Sequence, residues 1–287
     1  MKSQDTRQRF LFDETHIRGE VTTLNESFQA IQQRQDYPAV ITAILGEFLA
    51  AASLLSATLK FKGIVSIQAI GQGDITSIMA ECSNNTQLRG IVRGDYQNIG
   101  SEEGFKSLLG SATLAITIEP EGRERYQGIV PIDKDSLSEC LEHYFAQSEQ
   151  LSTKIKLAAN QHTAAGILIQ EMPHSSDDEQ ARDNWQHLSL LLESLKPEEQ
   201  LELEHEEQLY RLFHEQQVRL FDPENLQFFC SCSKARTAKM LVSLGADEIN
   251  QIFQEQGIIQ VNCEFCDQYY QFDQPDIDAI FNEPSVH

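Results

Sequence analysis

The architecture follows from one apolar run, AVITAILGEFLAAASLLSATL, which occupies residues 39–59. The run approaches the length of a membrane span, but it contains Glu47 and several serine and threonine side chains. Pro38 stands where helices often have their first turn. We therefore expect a long helix buried in a protein core, and we expect no membrane as a partner.

Short runs rich in β-branched residues follow this helix, separated by turns that contain glycine or asparagine. These predicted strands are residues 64–70, 75–80, 88–93, 112–118, 126–132 and 164–172. Their close spacing favours antiparallel pairing. A helix is predicted over residues 135–147, with Asp135 as its cap and Cys140 on its apolar face. We expect an α+β fold, in which residues 1–172 form a mixed α/β core domain with an antiparallel sheet and the long buried helix.

Charge and composition exclude several classes of protein. The 287 residues include 44 acidic and 22 basic side chains, which gives a formal net charge of -22. This charge repels a phosphate backbone, so nucleic acid is not an expected partner. The first residues lack the apolar core of a secretory signal, and we expect the protein in the cytoplasm. The length predicts two or three domains.

An acidic connector follows the core domain. Residues 171–227 hold fifteen acidic and four basic side chains, a net charge of -11. Apolar residues nevertheless keep helical spacing in two places. They are Trp185, Leu188, Leu191, Leu192 and Leu195, and then Leu209, Leu212 and Phe213. Helices this acidic repel one another and depend on a partner surface. We predict a helical, metastable linker over residues 173–227.

The last part of the chain, residues 228–287, holds four of the six cysteines in two close pairs. Cys230 and Cys232 form a CSC motif, and Cys263 and Cys266 form a CEFC motif between two predicted strands. Two short helices are predicted between the motifs, each ending at a glycine. Two cysteine pairs supply the four soft ligands that tetrahedral Zn²⁺ prefers. We predict one Zn²⁺ per chain in a small zinc-binding domain. An iron–sulfur cluster and a pair of metal-free redox dithiols are the alternatives.

The setting of these cysteines also suits a redox switch. Lys234, Arg236 and Lys239 follow the CSC motif at the start of a helix, where positive potential favours reactive thiolates. Each pair is close enough in sequence to form a local disulfide. The neighbouring linker is the segment that we expect to unfold when its support is lost. On the residues alone, a redox switch and a purely structural zinc site stay equally open.

Several segments together carry a resemblance to a known family. They are CSC and CEFC with a thirty-residue gap, LYRLFHEQQVRLFDPENLQFF at 209–229, DYPAV at 36–40, LLSATLKF at 54–61, LRGIVR at 88–93, ERYQGIV at 124–130, YFAQSEQL at 144–151 and AAGILIQEMP at 164–173. With these segments, nearly the whole chain resembles the bacterial thirty-three-kilodalton chaperonins, which are redox-regulated heat-shock holdases.

The resemblance implies an ATP-independent chaperone for unfolding proteins under oxidative stress. It is not an enzyme, so no catalytic residue is assigned. In the family the reduced, zinc-bound form is inactive. Cys230, Cys232, Cys263 and Cys266 would ligate the zinc and, on oxidation, form the disulfides Cys230–Cys232 and Cys263–Cys266. Zinc release would then unfold the linker and uncover apolar surface. The active form is a homodimer, and the first domain would serve client binding and dimerisation.

Some apolar linker residues are candidates for client binding, although ordinary core packing in a stable helix is the favoured interpretation of each. They are Trp185, Leu188, Leu192 and Leu195. Cys140 is expected to be a buried thiol, and Cys82 and the histidines receive no role. One rival is a zinc-ribbon module with a structural zinc, which the net charge opposes if nucleic acid is the partner. Another is a thiol–disulfide oxidoreductase, which the hairpin position of CEFC opposes.

Overall fold

The computed structural model describes residues 5–59, 62–96, 99–100, 104–173 and 178–282. The chain divides into two compact units, Met1–Phe229 and Cys230–His287. Within the described residues, the first unit contains two six-stranded sheets, and the second contains a two-stranded hairpin among short helices. The predicted α+β class with antiparallel sheets is confirmed.

A long helix forms the centre of the first unit. Helix α2 (Ala39–Thr58) follows a short helix, α1 (Glu26–Gln32). Leu45, Phe48 and Leu49 of α2 are completely buried. The helix is long and apolar enough to cross a membrane, but 78% of its most apolar window is buried inside the protein. The long buried helix predicted from the sequence is therefore confirmed.

The first sheet is antiparallel and packs one face on α2. Its strands are β1 (Thr6–Phe12), β2 (Ile17–Leu24), β8 (Thr153–Ala159), β9 (Ala164–Glu171), β10 (Val218–Leu220) and β11 (Glu224–Asn225). Their order is β10-β1-β2-β9-β8, and β11 also pairs with β1. Leu24 and Leu168 face the core around α2. The sequence reasoning predicted β9 but not β1, β2 or β8.

The second sheet covers another side of α2. Its strands are β3 (Gly63–Ile70), β4 (Ile75–Ser83), β5 (Gln87–Gly94), β6 (Thr113–Pro120), β7 (Tyr126–Pro131) and β12 (Gln227–Phe228), and a short helix, α3 (Phe105–Leu109), precedes β6. The order is β12-β5-β4-β3-β6-β7, with β12 parallel to β5. A Cβ atom built at Gly90 of β5 would lie 3.0 Å from Leu45 and 3.1 Å from Leu49. Glycine at this position therefore allows α2 to approach the sheet closely.

Helix α4 (Leu137–Tyr144) begins with a capping box. Ser136 Oγ accepts a hydrogen bond from the Glu139 N–H at 3.2 Å, and the Glu139 carboxylate accepts one from the Ser136 N–H. The predicted Asp135 cap is wrong by one residue, because the serine and Glu139 stand at the spacing that a capping box requires. The helix continues into a π-helical turn, Phe145–Glu149. Cys140 is buried, as predicted.

The helices of the acidic segment pack on the face of the first sheet that points away from α2. They are α5 (Glu179–Glu193), α6 (Pro197–Glu202) and α7 (His205–Phe213). The buried apolar residues of this contact, the linker interface, are Phe10, Phe12, Ile17, Val21, Ile167, Ile169, Leu188, Leu192, Leu195, Leu209, Leu212 and Phe213. The rings of Phe12 and Phe213 meet edge to face with centroids 4.9 Å apart. The acidic helices are thus held by an apolar surface of the core sheet.

The second unit has a small core. Its elements are α8 (Lys234–Leu244), α9 (Ala246–Gln256), β13 (Ile259–Asn262), β14 (Tyr269–Phe272) and α10 (Gln274–Asn282). Gly245 and Gly257 take positive φ and end α8 and α9, as predicted. The fully buried apolar residues are Leu241, Ile249, Ile259, Phe272 and Ile277. A core of this size needs a further stabilising element, such as a metal.

Glu47 lies on α2 and is half-buried, and the desolvation of its carboxyl raises the pKa from 4.5 to about 7. The folded state therefore keeps a proton that the unfolded state loses, so stability falls as the pH rises from 4.5 to 7. Glu47→Gln is expected to raise the free energy of unfolding by up to about 3 kcal/mol at pH 8 and to have little effect at pH 4. Urea unfolding at both pH values measures the difference. Equal stability of the two proteins at pH 8 would contradict the assignment.

Candidate metal centre

The four clustered cysteines come together in the second unit. Their Sγ atoms all lie within 4.8 Å of one another, and all four residues are half-buried. The Sγ atoms of Cys230 and Cys263 are 3.7 Å apart, and those of Cys232 and Cys266 are 3.3 Å apart. The structure therefore brings the CSC and CEFC motifs to one point.

Polar contacts at the start of α8 hold the CSC motif. Ser233 caps the helix by accepting a hydrogen bond from the Arg236 N–H at 3.2 Å. The Arg236 guanidinium donates to the carbonyl oxygen of Ser231 at 3.0 Å and also to its hydroxyl. Lys234 pairs with Asp276 of α10 at 2.7 Å. Two of the three predicted cations thus fix the loop that carries Cys230 and Cys232.

The CEFC motif forms a tight turn between β13 and β14. The Cys263 N–H donates to the Gln268 carbonyl at 2.9 Å, and the Asp267 N–H donates back to the Cys263 carbonyl at 2.7 Å. Asp267 takes a positive φ of 56°, a conformation that aspartate tolerates better than most residues. This turn directs Cys263 and Cys266 to the same side of the hairpin.

The sulfur positions fit a tetrahedral metal ion. Both measured sulfur–sulfur distances exceed the ~2.05 Å of a disulfide. A Zn–S bond of about 2.3 Å places tetrahedral sulfur ligands about 3.8 Å apart. The 3.7 Å between Cys230 and Cys263 is close to this value, the 3.3 Å between Cys232 and Cys266 is shorter, and no pair exceeds 4.8 Å. Burial and the neighbouring cysteine side chains raise the pKa of the Cys266 thiol. Four crowded sulfurs would need a bound cation to stay together as thiolates, and a metal ion that prefers sulfur ligands would supply that charge.

Tyr270 belongs to this site, and the sequence reasoning missed it. Its hydroxyl donates a hydrogen bond to Cys232 Sγ at 3.1 Å, and this bond raises the pKa of Tyr270 to about 12. The residue lies on β14, four positions after Cys266. Such outer contacts orient metal ligands and tune them. Spacing alone could not reveal it, because the contact joins residues 38 positions apart.

Tyr270→Phe is expected to weaken zinc binding about tenfold, because it removes a hydrogen bond to a ligand sulfur and keeps the ring. A competition titration with a chromogenic chelator measures the affinity. Tyr269→Phe is the matched control, because the Tyr269 hydroxyl bonds to Gln271 and not to a cysteine. Unchanged affinity in Tyr270→Phe would show that the hydroxyl does not act on the metal centre.

The other two cysteines lie in the core of the first unit. Cys82 and Cys140 are both buried, and burial raises the pKa of each thiol. A raised pKa keeps a thiol protonated and unreactive.

His205 has a structural role that was not predicted from the sequence. Its ring nitrogens lie 3.0 Å from Thr23 Oγ1 and 2.8 Å from Gln8 Oε1, which fixes α7 on the first sheet.

Comparisons with known proteins agree with this architecture. A family profile described as Hsp33 protein matches residues 5–273. The 33 kDa chaperonin of Pseudomonas aeruginosa is 43% identical over 284 residues, which cover 98% of this chain and 96% of the relative. The 33 kDa chaperonin of Hahella chejuensis is 44% identical and covers 99% of both chains.

A solved structure shares the fold. The crystal structure of the 33 kDa chaperonin of Thermotoga maritima matches with a TM-score of 0.83, covers 96% of this chain and 97% of its own, and is 19% identical. The profile and the near full-length relatives settle the family from sequence, and the fold agrees. The protein is a chaperone that belongs to the Hsp33 family.

Proposed function

We propose that the protein is a redox-regulated, ATP-independent holdase, inactive when reduced and zinc-bound and activated by oxidation. The observation that carries this proposal is the cluster of four cysteine sulfurs within 4.8 Å of one another. The first of these cysteines, Cys230, directly follows the last residue of the first unit. The proposed ligands of one Zn²⁺ are Cys230, Cys232, Cys263 and Cys266. The proposed compartment is the reducing cytoplasm, where clustered cysteines bind metal rather than staple a fold.

Oxidation would remove the ligands. Two cysteine sulfurs give up two electrons to one molecule of peroxide, which takes up two protons and leaves as two molecules of water. Two such steps form Cys230–Cys232 and Cys263–Cys266 and leave no thiolate for the metal. The sulfur contacts at 3.7 and 3.3 Å join residues of different motifs, but all four sulfurs lie within 4.8 Å of one another, which leaves either pairing open. The local pairing remains our prediction.

Ligand loss would unfold the second unit. Only a small apolar core was found among its described residues, so metal binding supplies much of its folding free energy. Cys230 directly follows Phe229, the last residue of the first unit. Unfolding of the second unit therefore releases the C-terminal anchor of the acidic segment.

The linker interface is built to be metastable. Ser189 Oγ and Gln208 Nε2 are buried in it, and neither has a hydrogen-bond partner within the described part of the chain. Each such group costs about 1–3 kcal/mol. The net charge of -11 on residues 171–227 adds repulsion between the helices. Loss of one anchor can therefore free these helices from the sheet.

The surface that the linker covers suits unfolding clients. Phe10, Phe12 and Ile169 would form a contiguous apolar patch on the first sheet once the helices leave. The apolar faces of α5 and α7, including Leu188 and Leu192, would be exposed at the same time. We propose this surface for client capture and, in the active form, for association into a homodimer. Neither nucleic acid nor a membrane is a proposed partner.

Ser189→Ala is expected to stabilise the linker interface by about 1 kcal/mol, because it removes an unpaired buried hydroxyl. Linker opening at a fixed peroxide concentration should then be about fivefold less populated, which delays activation. Suppression of client aggregation over time measures the delay. Ser194→Ala is the control, because the Ser194 hydroxyl is exposed and bonded to the Leu191 carbonyl. Faster activation of Ser189→Ala would contradict the account.

One experiment separates the holdase from two alternatives, a thiol–disulfide oxidoreductase and a protein with a purely structural zinc. Reduced and peroxide-treated protein are each mixed with a thermally unfolding client without ATP, and light scattering follows aggregation. Stoichiometric suppression only after oxidation supports the holdase. Repeated turnover of a disulfide substrate would support an oxidoreductase, and identical behaviour of both forms would support a purely structural zinc.

A further inference from the structure

Residues 218–229, here called the strap, lie along the edges of both sheets of the first unit. Strand β10 is the outermost strand of the first sheet, and β12 is the outermost strand of the second. β10 and β11 pair antiparallel with β1, whereas β12 runs parallel to β5. Without the strap, β1 and β5 would be edge strands. An open strand edge is a template for another extended chain.

The strap is attached mainly through its backbone. Four of its N–H groups donate to carbonyl oxygens of the core. The distances are 2.9 Å for Phe221 to Arg9, 2.8 Å for Leu226 to Asp5, 2.9 Å for Gln227 to Thr86 and 3.0 Å for Phe229 to Leu88. Such bonds do not depend on which side chains the strand carries, so a foreign extended segment can form them equally well.

Three strap side chains at alternate positions contact the core directly. Glu224 pairs with Arg7, Leu226 is buried in the main core, and the ring of Phe228 lies 4.5 Å beneath the Arg34 guanidinium. These three side chains alternate with Asn225 and Gln227 along the strap, and each contacts the core. The site therefore accepts an acidic, an aliphatic and an aromatic side chain in that order.

Arg7 is held in place by the core and not by the strap. Its Nη1 donates to the Ser53 carbonyl at 2.7 Å and to Ser56 Oγ at 2.6 Å. The side chain is 2% exposed, and only its Nη2 reaches out to Glu224. After the strap leaves, Arg7 would be a fixed, buried cation without its carboxylate. Such a group binds an incoming carboxylate strongly.

The strap itself is weakly held. Its strands are two or three residues long, and Glu224 is 59% exposed. A cavity of about 550 Å³, lined in part by Arg9, Phe221 and Asp222, lies beside the Arg7–Glu224 pair. The strap ends at the residue before Cys230, so it is covalently joined to the segment that carries the CSC motif. Short strands and an exposed ion-pair partner are features of segments that open locally at a low cost in free energy.

We infer that the strap occupies, in the reduced protein, a binding site for extended client segments with an acidic, an aliphatic and an aromatic residue at alternate positions. Clients would bind there by strand addition to β1 and β5 once oxidation releases the strap. The inference rests on the proposed redox activation. This site would bind the backbone of a client segment and recognise three of its side chains. It would act in addition to the apolar patch beneath the linker helices.

The probe is a fluorescent peptide with the strap sequence VRLFDPENLQFF, titrated into full-length protein and followed by anisotropy. Oxidised protein is expected to bind it at least tenfold more tightly than reduced protein. N-methylation of the peptide at Leu226 and Gln227 removes two donors and keeps the side chains, and binding should fall at least tenfold. Equal binding of the methylated peptide would overturn strand addition.

Two further results bear on the side-chain reading and on client capture. A peptide with Glu224→Gln should bind several-fold more weakly, because it lacks the carboxylate for Arg7. The unmodified peptide should also reduce aggregation suppression by oxidised protein in proportion to its occupancy. A bound peptide that leaves client capture unchanged would overturn the assignment as a client site.

Aggregation suppression in the same samples separates this inference from the proposed function. Suppression by oxidised protein without any peptide binding overturns the strap site alone. Absence of both suppression and peptide binding overturns the redox-activated holdase and this inference with it. The full-length variant Glu224→Gln gives an independent reading. Its weakened strap should let reduced protein bind the peptide at least threefold more tightly than the reduced wild type does.

Discussion

Cys263→Ser is expected to leave the second unit unfolded and without zinc in the reduced protein. The substitution removes one of four sulfurs that lie within 4.8 Å. A hydroxyl is a poor ligand for Zn²⁺, so the loss should reach at least about 4 kcal/mol, or about a thousandfold in affinity. The small core of this unit does not compensate for that loss. The variant should therefore suppress client aggregation without any oxidant.

Zinc content and hydrogen exchange of residues 230–282 check this expectation. Glu264→Ser is the matched control, because it lies between Cys263 and Cys266 and leaves all four sulfurs in place. The control should keep one zinc per chain and stay inactive when reduced. A Cys263→Ser protein that is folded in the second unit, or inactive without oxidant, would contradict the role given to the metal.

Phe213→Ala is expected to activate the reduced protein while zinc stays bound. Phe213 is 1% exposed and packs against both Phe10 and Phe12 of the first sheet. Removing a buried aromatic ring of this kind costs about 3–5 kcal/mol. In an interface that already contains two unpaired buried groups, that loss should free the linker helices. Aggregation suppression by the reduced, zinc-loaded variant measures the effect.

Tyr210→Ala separates this effect from a general weakening of α7. Tyr210 lies on the same helix but is 71% exposed, so its loss should change the linker interface little. Both variants must retain one zinc per chain for the comparison. If Phe213→Ala needs as much oxidant as the wild type, the linker interface does not restrain activity.

Much of the fold could be predicted because the apolar pattern is local. Residues 39–59 are mostly apolar, and Ala39–Thr58 becomes a helix that is mostly buried. The β-branched runs became β3 to β7 and β9. The four cysteines could be grouped for the same reason, since few other arrangements place four soft ligands so close in sequence.

β1 and β2 were missed because charged residues interrupt their apolar pattern. Arg7 would ordinarily lie at the surface, but it is 2% exposed, because its guanidinium donates to Ser53 and Ser56 of the long helix, 46 and 49 positions away. Glu20 of β2 is likewise almost buried and pairs with Arg9 at 2.8 Å. Such partners are set by tertiary structure, so no local pattern shows that these strands belong to a sheet.

The contacts that surround the metal centre and the linker were beyond sequence reasoning for a related reason. Tyr270 reaches Cys232 only because the hairpin of β13 and β14 folds next to the start of α8. Ser189 and Gln208 look like ordinary polar residues of an acidic helix until the sheet buries them. The strap looked like part of an acidic connector, although its short strands complete both sheets.

The most direct test follows zinc release, hydrogen exchange of residues 178–229 and aggregation suppression together in one sample during peroxide treatment. We expect zinc release first, then loss of protection in the linker helices and the strap, and a rise in client protection that accompanies this loss. Client protection in the wild type while all zinc stays bound, or complete zinc release with the linker still fully protected, would contradict this order of events.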